Sequence, residues 1–334
     1  MGDDRYGTDN GSIIMKMKRR HLWLIFITSL VIIVAIIVAI SVSISSPKNI
    51  VLAPSSHSQT ATPPKTSTTQ NNTIAHIFII MDENQPYPNI VGNSAAPYLN
   101  SLIQHYSLAT NYHAVAHPSL PNYIALTSGS TDGLTTDCNP PSAGCEVNVP
   151  NIADSIENSG RTWKEYAESM PSACYAYNSG EYATKHNPFL YYTDIINNPT
   201  RCAAHVVPFT QLTTDLKSAQ TTPDFAYITP NQCSDMHSCS IATGDSWLAQ
   251  YVPIILSSPA FTSQNSLLVI TWDEGNASTN HVATIFAGSA AKNGYQSAQY
   301  YTHYSLLHTI ETLWGLAPLT NNDKQAPVMT EFIK

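Results

Sequence analysis

The segment His117–Gly129 contains a single serine, Ser119, that lies between two prolines at the start of an apolar stretch. Pro121 fits the first turn of a helix, where its missing N–H costs no hydrogen bond. A helix that begins here would direct backbone N–H groups and the positive end of its dipole towards the serine hydroxyl, an arrangement that binds phosphate. The alternative is that Ser119 only caps the helix, because serine is among the commonest cap residues. This segment alone favours the cap.

Three apolar runs, residues 75–81, 224–230 and 266–272, are each followed by polar side chains that can carry chemistry. Runs of this kind are typical of strands covered on both faces of a parallel sheet. In an open α/β sheet the site lies beyond the carboxyl ends of such strands. The residues after the first and third runs offer oxygen ligands: Glu83, Asn84, Asp273 and Glu274.

These oxygen ligands would repel one another at close range unless a cation neutralised them, which predicts a divalent metal, with Zn, Mn, Mg and Ca left open. The alternative is that each acid is a solvated loop residue or a helix cap. For any one acid alone this alternative is favoured, but it weakens when acids follow two strands.

Several side chains near these segments could move a proton or bind substrate. Asp235 and His237 follow the second apolar run and could add a proton carrier or a second metal ligand, because His titrates near neutral pH. The alternative is a cap for Asp235 and a surface imidazole for His237. His117 and His303 are further proton carriers, and Asn122, about one helical turn beyond Ser119, could donate a hydrogen bond to a phosphoryl oxygen.

Helical patterns alternate with the strand patterns along the rest of the chain. The predicted helices are residues 96–108, 152–159, 162–169, 245–256 and 305–316, and residues 281–288 read as a further strand. We therefore predict a single α/β/α domain at residues 74–334 with a loop-rich insertion around residues 130–215.

The amino-terminal part of the chain predicts a membrane anchor. Residues 22–44 are 23 positions without a charge, enough to cross about 30 Å of hydrocarbon as one helix. Four basic residues precede this span and one follows closely, so residues 1–21 should be cytoplasmic and the rest extracellular. Residues 45–73, rich in Ser, Thr and Pro, predict a disordered stalk. A buried core helix and a cleaved signal peptide are the alternatives.

Charge and cysteine content describe the part of the chain beyond this anchor. From residue 74 onwards, eight Lys and Arg face twenty Asp and Glu, a net charge of −12, which argues against a nucleic-acid partner. All six cysteines lie there as three neighbouring pairs: Cys138 with Cys145, Cys174 with Cys202, and Cys233 with Cys239. An even count outside the cytoplasm favours disulfides, and we expect each cysteine to pair with its neighbour, although 15 connectivities are possible for six cysteines. A zinc site is the alternative.

Six ordered motifs now give the chain a family resemblance. They are Glu83-Asn84 with Tyr87 and Gly92, the segment 117–129, and the segments 229–237, 244–247, 271–275 and 303–307. Together they resemble the phosphoesterase family of microbial acid phosphatases and phospholipases C, a branch of the alkaline phosphatase superfamily. Asp82 departs from the pattern, because members often carry Met there.

The resemblance implies an alkaline phosphatase-like α/β/α sandwich in which Ser119 matches the nucleophile and Glu83, Asn84, Asp273 and Glu274 match the metal ligands. It also gives Asn122 a phosphate-binding role. We expect a phosphomonoesterase that works through a phosphoserine, with His117, His237 or His303 protonating the leaving oxygen.

Two rival functions remain from the sequence. The first is a phospholipase C, which would want an aromatic cage for a quaternary ammonium, and a tyrosine cluster could supply one: Tyr175, Tyr177, Tyr182, Tyr191 and Tyr192. The second is a surface-binding protein that keeps the fold without catalysis. The oligomeric state is left open.

Overall fold

A central β-sheet organises residues 73–142, 144–275 and 278–334, which are the residues that this computed structural model describes. The strands are β1 (His76–Asp82), β2 (Ser107–His113), β3 (Trp163–Ala167), β4 (Val206–Pro208), β5 (Phe225–Thr229), β6 (Ser266–Trp272), β7 (His281–Ala287), β8 (Gln296–Ser297) and β9 (Tyr301–Thr302).

Helices connect these strands. They are α1 (Tyr87–Ile90), α2 (Pro97–His105), α3 (Ser119–Ser128), α4 (Ile152–Asn158), α5 (Thr193–Ile196), α6 (Pro199–His205), α7 (Leu212–Asp215), α8 (Ile241–Leu256), α9 (Pro259–Thr262), α10 (His303–Trp314) and α11 (Asn321–Gln325). Short 3₁₀ turns lie at Thr184–His186, Pro188–Leu190, Phe209–Gln211 and Thr330–Phe332.

The strand order is β4-β3-β5-β1-β6-β7-β2-β8, and β9 pairs with β2. From β4 to β6 neighbouring strands are parallel, whereas β7 is antiparallel to both of its neighbours. Every residue of β1, β5 and β6 is buried, which explains why these strands are continuous apolar runs in the sequence. Because the three strands are parallel neighbours, their carboxyl ends lie side by side, as predicted.

Helix α3, which carries Ser119, is buried along its whole length and packs against α10, while α2 packs against α8. Helix α3 ends at Ser128 and is followed by Gly129, whose backbone has the left-handed φ of 78°. A Cβ at this position would lie 2.8 Å from Asp323 Oδ1, so the turn after α3 requires glycine. The sheet and the helices that pack on it confirm the mixed α/β fold predicted from the sequence.

One helix prediction was wrong. Residues 162–169 contain β3, which lies between β4 and β5 in the sheet. Local spacing cannot show this pairing, because strand formation depends on neighbours far along the chain. The predicted strand at residues 281–288 and the helices near 96–108, 152–159, 245–256 and 305–316 are confirmed with shifted ends. The first of these helices ends at His105, and β2 begins soon after it.

The cysteines pair as predicted: Cys138–Cys145, Cys174–Cys202 and Cys233–Cys239 are disulfides. The described residues contain no free cysteine, so the zinc alternative is wrong.

Within the described ranges, no helix is long and apolar enough to cross a membrane. The predicted cytoplasmic tail at 1–21, the span at 22–44 and nearly all of the stalk at 45–73 lie outside those ranges.

A buried acid in α10 makes stability depend on pH. Glu311 is fully buried, and one of its carboxylate oxygens accepts the Leu319 N–H at 3.2 Å, while the other has no hydrogen-bond partner among the described residues. Burial and the nearby Asp323 raise the pKa of Glu311 to about 9. Because the pKa of Glu311 is higher in the folded protein than in the unfolded chain, the unfolding free energy is highest below the ordinary pKa of glutamate. It falls as pH rises towards the pKa of Glu311 in the folded protein.

We therefore predict that Glu311→Gln stabilises the protein at pH 8 by about 1–3 kcal/mol, because the wild type must take up a proton at Glu311 to fold at this pH, whereas glutamine is neutral in both states. The gain should largely vanish near pH 4. Denaturant unfolding at both pH values measures it, with the exposed Glu146→Gln as the control. An equal gain at both pH values would contradict the assignment.

Candidate active site

Ser119 is the first residue of α3, and Pro118 occupies the cap position, so the interpretation of Ser119 as a helix cap is wrong. The serine is 1% exposed, and its hydroxyl donates a hydrogen bond to Glu83 Oε2 at 3.0 Å. The hydroxyl therefore lies at the positive end of a buried helix and is bonded to a carboxylate from the end of β1.

Glu83 is the residue on which these contacts converge. Its Oε1 accepts a hydrogen bond from Tyr123 Oη at 2.5 Å and lies 3.1 Å from His186 Nε2. The other ring nitrogen, His186 Nδ1, lies 3.3 Å from Asp235 Oδ2. A buried imidazole thus bridges two buried carboxylates, one after β1 and one after β5.

The charges of this bridge are mutually dependent. Burial alone would raise the pKa of Glu83, but His186 outweighs it and lowers the pKa to about 2. Burial alone would lower the pKa of His186, but Glu83 and Asp235 raise it to about 9. The pair is therefore a carboxylate and an imidazolium near neutral pH.

Asn84, Asp273 and Glu274 meet at the adjacent ends of β1 and β6. The Asn84 N–H donates to Asp273 Oδ1 at 2.9 Å, and Asn84 has a φ of 53°, in the left-handed region. Burial, together with Glu83 and Glu274, raises the pKa of Asp273 well above its usual range. Glu274 Oε2 lies 2.5 Å from Nδ1 of His117, whose side chain is 38% exposed.

Orphaned oxygens show that this donor set fits a cation. Asn84 Oδ1 and Asp273 Oδ2 are buried without a hydrogen-bond partner among the described residues. In the same part of the chain, no three His, Cys, Asp or Glu side chains form a ready metal cluster. The set that converges instead mixes carboxylates with an amide and the Ser119 hydroxyl, all hard oxygen donors of the type that Mg²⁺, Ca²⁺ or Mn²⁺ accept.

Asp82 is a further buried acid at the end of β1. It is fully buried, and neither carboxylate oxygen has a hydrogen-bond partner among the described residues. Burial first, and then Asp235 and Glu83, raise its pKa well above the ordinary value.

Two predicted residues have positions that differ from their predicted roles. Both Asn122 side-chain groups bond to the backbone of residues 115–118, with Oδ1 accepting two N–H groups and Nδ2 donating to two carbonyls. This side chain shapes the loop before Ser119 and does not face a phosphoryl group. His303 is buried, with Nδ1 3.0 Å from Tyr112 Oη and Nε2 2.7 Å from the Asp273 carbonyl, so neither nitrogen is open to a leaving group.

The other predicted proton carriers lie at the rim. His117 and His237 are both exposed. The His237 N–H donates to Asp235 Oδ1 at 2.8 Å, so Asp235 contacts both His237 and the His186 bridge and does not reach outwards to bind substrate.

Four residues with contacts at the site were not predicted as site residues from the sequence: Tyr123, Asp137, Lys185 and His186. Lys185 and His186 lie in the 3₁₀ turn Thr184–His186, inside the stretch predicted only as a loop-rich insertion. One signal was present, because Lys185 and His186 are the only basic side chains in the otherwise uncharged residues 182–193.

Comparisons with known proteins agree with this geometry. A model described as the phosphoesterase family matches residues 93–317. The chain is 34% identical over 262 residues to a phosphatidylinositol-3-phosphatase of Mycobacterium tuberculosis, covering 78% of this chain and 83% of that protein. It is 31% identical over 268 residues to a probable acid phosphatase of Kluyveromyces lactis, covering 75% and 61%. The chain spans 51–61% of the length of the fungal relatives.

Solved structures show the same fold at low sequence identity. A protein in the alkaline phosphatase superfamily from Vibrio parahaemolyticus superposes with a TM-score of 0.53 at 12% identity, over 75% of this chain and 69% of that one. Murine ectonucleotide pyrophosphatase / phosphodiesterase 5 gives a TM-score of 0.52 at 9% identity, over 78% and 100%.

The His186 bridge between Glu83 and Asp235 predicts the effect of replacing the imidazolium of His186 by a neutral side chain. His186→Gln leaves Glu83 and Asp235 buried without their cationic partner, which should cost about 3–5 kcal/mol of unfolding free energy. The contribution of Glu83 to the unfolding free energy is present above pH 4.5 and is lost as pH falls towards 2. The contribution of His186 to the unfolding free energy is present below pH 6.5 and is lost as pH rises through 9.

The loss should therefore be largest between about pH 4.5 and 6.5 and smaller at pH 9.5. Denaturant unfolding in chelator measures it, and the control is His76→Gln, a buried histidine bonded to Pro223 and Gln264. A His186→Gln loss with the same size and pH profile as the control would contradict the bridge.

Proposed function

The chain belongs to the phosphoesterase family and is a phosphoester hydrolase, and we propose that it is a metal-dependent, acid phosphatase-like phosphomonoesterase that uses Ser119 as its nucleophile. One observation carries this proposal: the buried Ser119 hydroxyl at the start of α3 donates to Glu83 at 3.0 Å, beside the unpartnered oxygens of Asn84 and Asp273. The α/β/α sandwich of alkaline phosphatase-like enzymes is the fold that we propose for residues 74–334.

Glu83, Asn84, Asp273 and Glu274 are the proposed ligands of a divalent cation. When bound, the cation supplies positive charge that lowers the pKa of the serine hydroxyl and stabilises charge on the phosphoryl group. The Asn84 backbone, through its N–H bond to Asp273, keeps the two candidate ligand segments together.

The chain's own residues then account for the steps of the reaction. Glu83 Oε2 accepts a hydrogen bond from the Ser119 hydroxyl, orients Oγ and takes its proton as Oγ attacks. A bond forms between Oγ and phosphorus while the bond from phosphorus to the leaving oxygen breaks, which gives a phosphoserine. Water then attacks phosphorus, the bond to Oγ breaks and phosphate is released. The proton on Glu83 returns to Oγ, and the group that protonated the leaving oxygen takes the proton of the water.

We propose His117 as the group that protonates the leaving oxygen. Its ring is exposed, lies two residues before Ser119, and is oriented by Glu274 at 2.5 Å. His237, also exposed, is the alternative. His303 is not proposed for this role, because both of its nitrogens are engaged within the core.

Two observations favour a monoester over a phosphocholine diester. The phosphatidylinositol-3-phosphatase and acid phosphatase relatives are named for phosphatase activity. Most of the tyrosines considered as a cage cannot face a ligand, because Tyr182, Tyr191 and Tyr192 are buried. Their hydroxyls contact the Tyr175 carbonyl, the Cys138 carbonyl and Thr127 Oγ1, respectively.

We also propose that residues 22–44 anchor the protein as a single-pass signal anchor with the catalytic domain outside the cell. The three disulfides support an oxidising compartment. Digestion of the domain by protease added to intact cells is the expected result, and full protection would contradict it.

Ser119→Ala should reduce kcat for an aryl phosphate by at least about a thousandfold, because no oxygen remains to form the phosphoenzyme. The melting temperature should fall by only a few degrees, because the domain loses one hydrogen bond to the buried carboxylate of Glu83. Wild type should hydrolyse the aryl phosphate with a higher kcat/KM than a phosphocholine diester.

The matched control is Ser128→Ala, another buried serine of the same helix, and it should keep the activity. A Ser119→Ala variant with normal turnover would rule out the nucleophile, and a preference for the diester would favour the phospholipase C alternative.

A further inference from the structure

Asp137 contacts two positively polarised groups of the candidate site, the Leu120 N–H and the Lys185 ammonium. Its Oδ1 accepts the Leu120 N–H at 3.2 Å, and its Oδ2 accepts a hydrogen bond from Lys185 Nζ at 3.0 Å. Leu120 directly follows Ser119 in α3. The Asp137 side chain is 30% exposed, so the carboxylate lies at the mouth of the site and not in its interior.

The Leu120 N–H is a scarce donor. Pro121 has no N–H, so the amide of Leu120 is the one that the first turn of α3 offers immediately beyond the nucleophile. A phosphoryl group on or near Ser119 Oγ would need this donor to neutralise an equatorial oxygen. The Asp137 carboxylate now accepts it.

Lys185 is the second group. Its side chain is only 9% exposed, and its ammonium lies in the field of the site, because Glu83, Asp137 and Asp273 raise its pKa against the lowering effect of burial. A buried ammonium that shares its carboxylate partner with the amide directly after Ser119 is suited to bind a phosphoryl oxygen, yet it too is engaged by Asp137.

The loop that carries Asp137 is fixed, although its carboxylate is not enclosed. The adjacent Cys138 forms a disulfide with Cys145, and the Tyr191 hydroxyl donates to the Cys138 carbonyl at 2.9 Å. The backbone therefore stays in place while rotation about the side-chain bonds of Asp137 can withdraw its two oxygens.

We propose that the Asp137 carboxylate is an internal competitor of the phosphoryl group, and that it leaves the Leu120 N–H and Lys185 when substrate binds and returns when phosphate leaves. A carboxylate and a phosphoryl group both present oxygen acceptors with negative charge, so one can replace the other on these donors. This inference rests on the proposed function of Ser119. Its consequence is weaker binding of inorganic phosphate and faster release of product.

The competing interpretation is a positioning role, in which Asp137 only holds Lys185 in place. The two interpretations predict opposite changes in phosphate affinity when the Asp137 carboxylate is removed. Removing a competitor strengthens phosphate binding, whereas removing a clamp weakens it.

The test is calorimetric titration of the full-length wild type and Asp137→Asn with inorganic phosphate, together with the phosphate inhibition constant in an aryl phosphate assay. Asparagine keeps the size of the side chain and removes the charge. We expect the dissociation and inhibition constants to fall about tenfold, and the KM for the aryl phosphate to fall with them. Asp132→Asn is the matched control, because Asp132 lies in the same loop and accepts from Ser128 Oγ at 2.7 Å. It should leave both constants unchanged.

Weaker or unchanged phosphate binding in Asp137→Asn would overturn the proposal. Thermal unfolding of each variant confirms that it is folded, and Asp137→Glu, which keeps the charge, should bind phosphate more weakly than Asp137→Asn. Calorimetry reads phosphate binding without turnover. Failure of the proposed function would instead appear as normal activity in Ser119→Ala, so the two failures are distinguishable.

Discussion

Mutual repulsion among buried carboxylates is the constraint that the active site must satisfy. The parallel pairing of β1 with β5 and β6 brings the ends of three strands together, and each end carries acids that are buried: Asp82, Glu83, Asp235 and Asp273. Like charges at close range without water are unfavourable unless each finds a counter-charge or a proton. His186 compensates Glu83 and Asp235, and the hydroxyls of Tyr123 and Ser119 donate hydrogen bonds to Glu83. The unpartnered oxygens of Asn84 and Asp273 are left for a cation.

The same constraint explains why the nucleophile is where it is. Ser119 must meet Glu83 from the start of α3, so the loop before it has to turn sharply, and Asn122 fixes that loop through four backbone hydrogen bonds. His303 supports the other side of the site, because its Nε2 donates a hydrogen bond to the Asp273 carbonyl. Asn122 and His303, which the sequence suggested as substrate-binding and catalytic groups, thus hold other parts of the site in position. The exposed His117 lies at the opening of the site.

The sequence predicted the strands β1, β5 and β6 and the acids that follow them, because strands buried on both faces are visible as apolar runs. It also predicted the disulfide pairs, and the family motifs singled out Ser119. It did not predict β3, whose polar residues Lys164 and Glu165 become strand residues only through pairing with β4 and β5. Lys185 and His186 were missed for a related reason: their role depends on folding of the 3₁₀ turn against Glu83, a contact between residues about a hundred positions apart.

The central claim is that the acids at the ends of β1 and β6 hold one divalent cation beside Ser119. The most direct test is elemental analysis of the purified protein after dialysis, with wild type compared with Asp273→Asn. As a control, Asp215→Asn removes a carboxylate bound by Lys164 and Tyr166, outside this site. The account predicts about one bound divalent ion per chain in wild type and in Asp215→Asn, and loss of that ion in Asp273→Asn. A wild-type protein that hydrolyses phosphoesters with no bound metal, or an Asp273→Asn variant that retains a full equivalent, would contradict it.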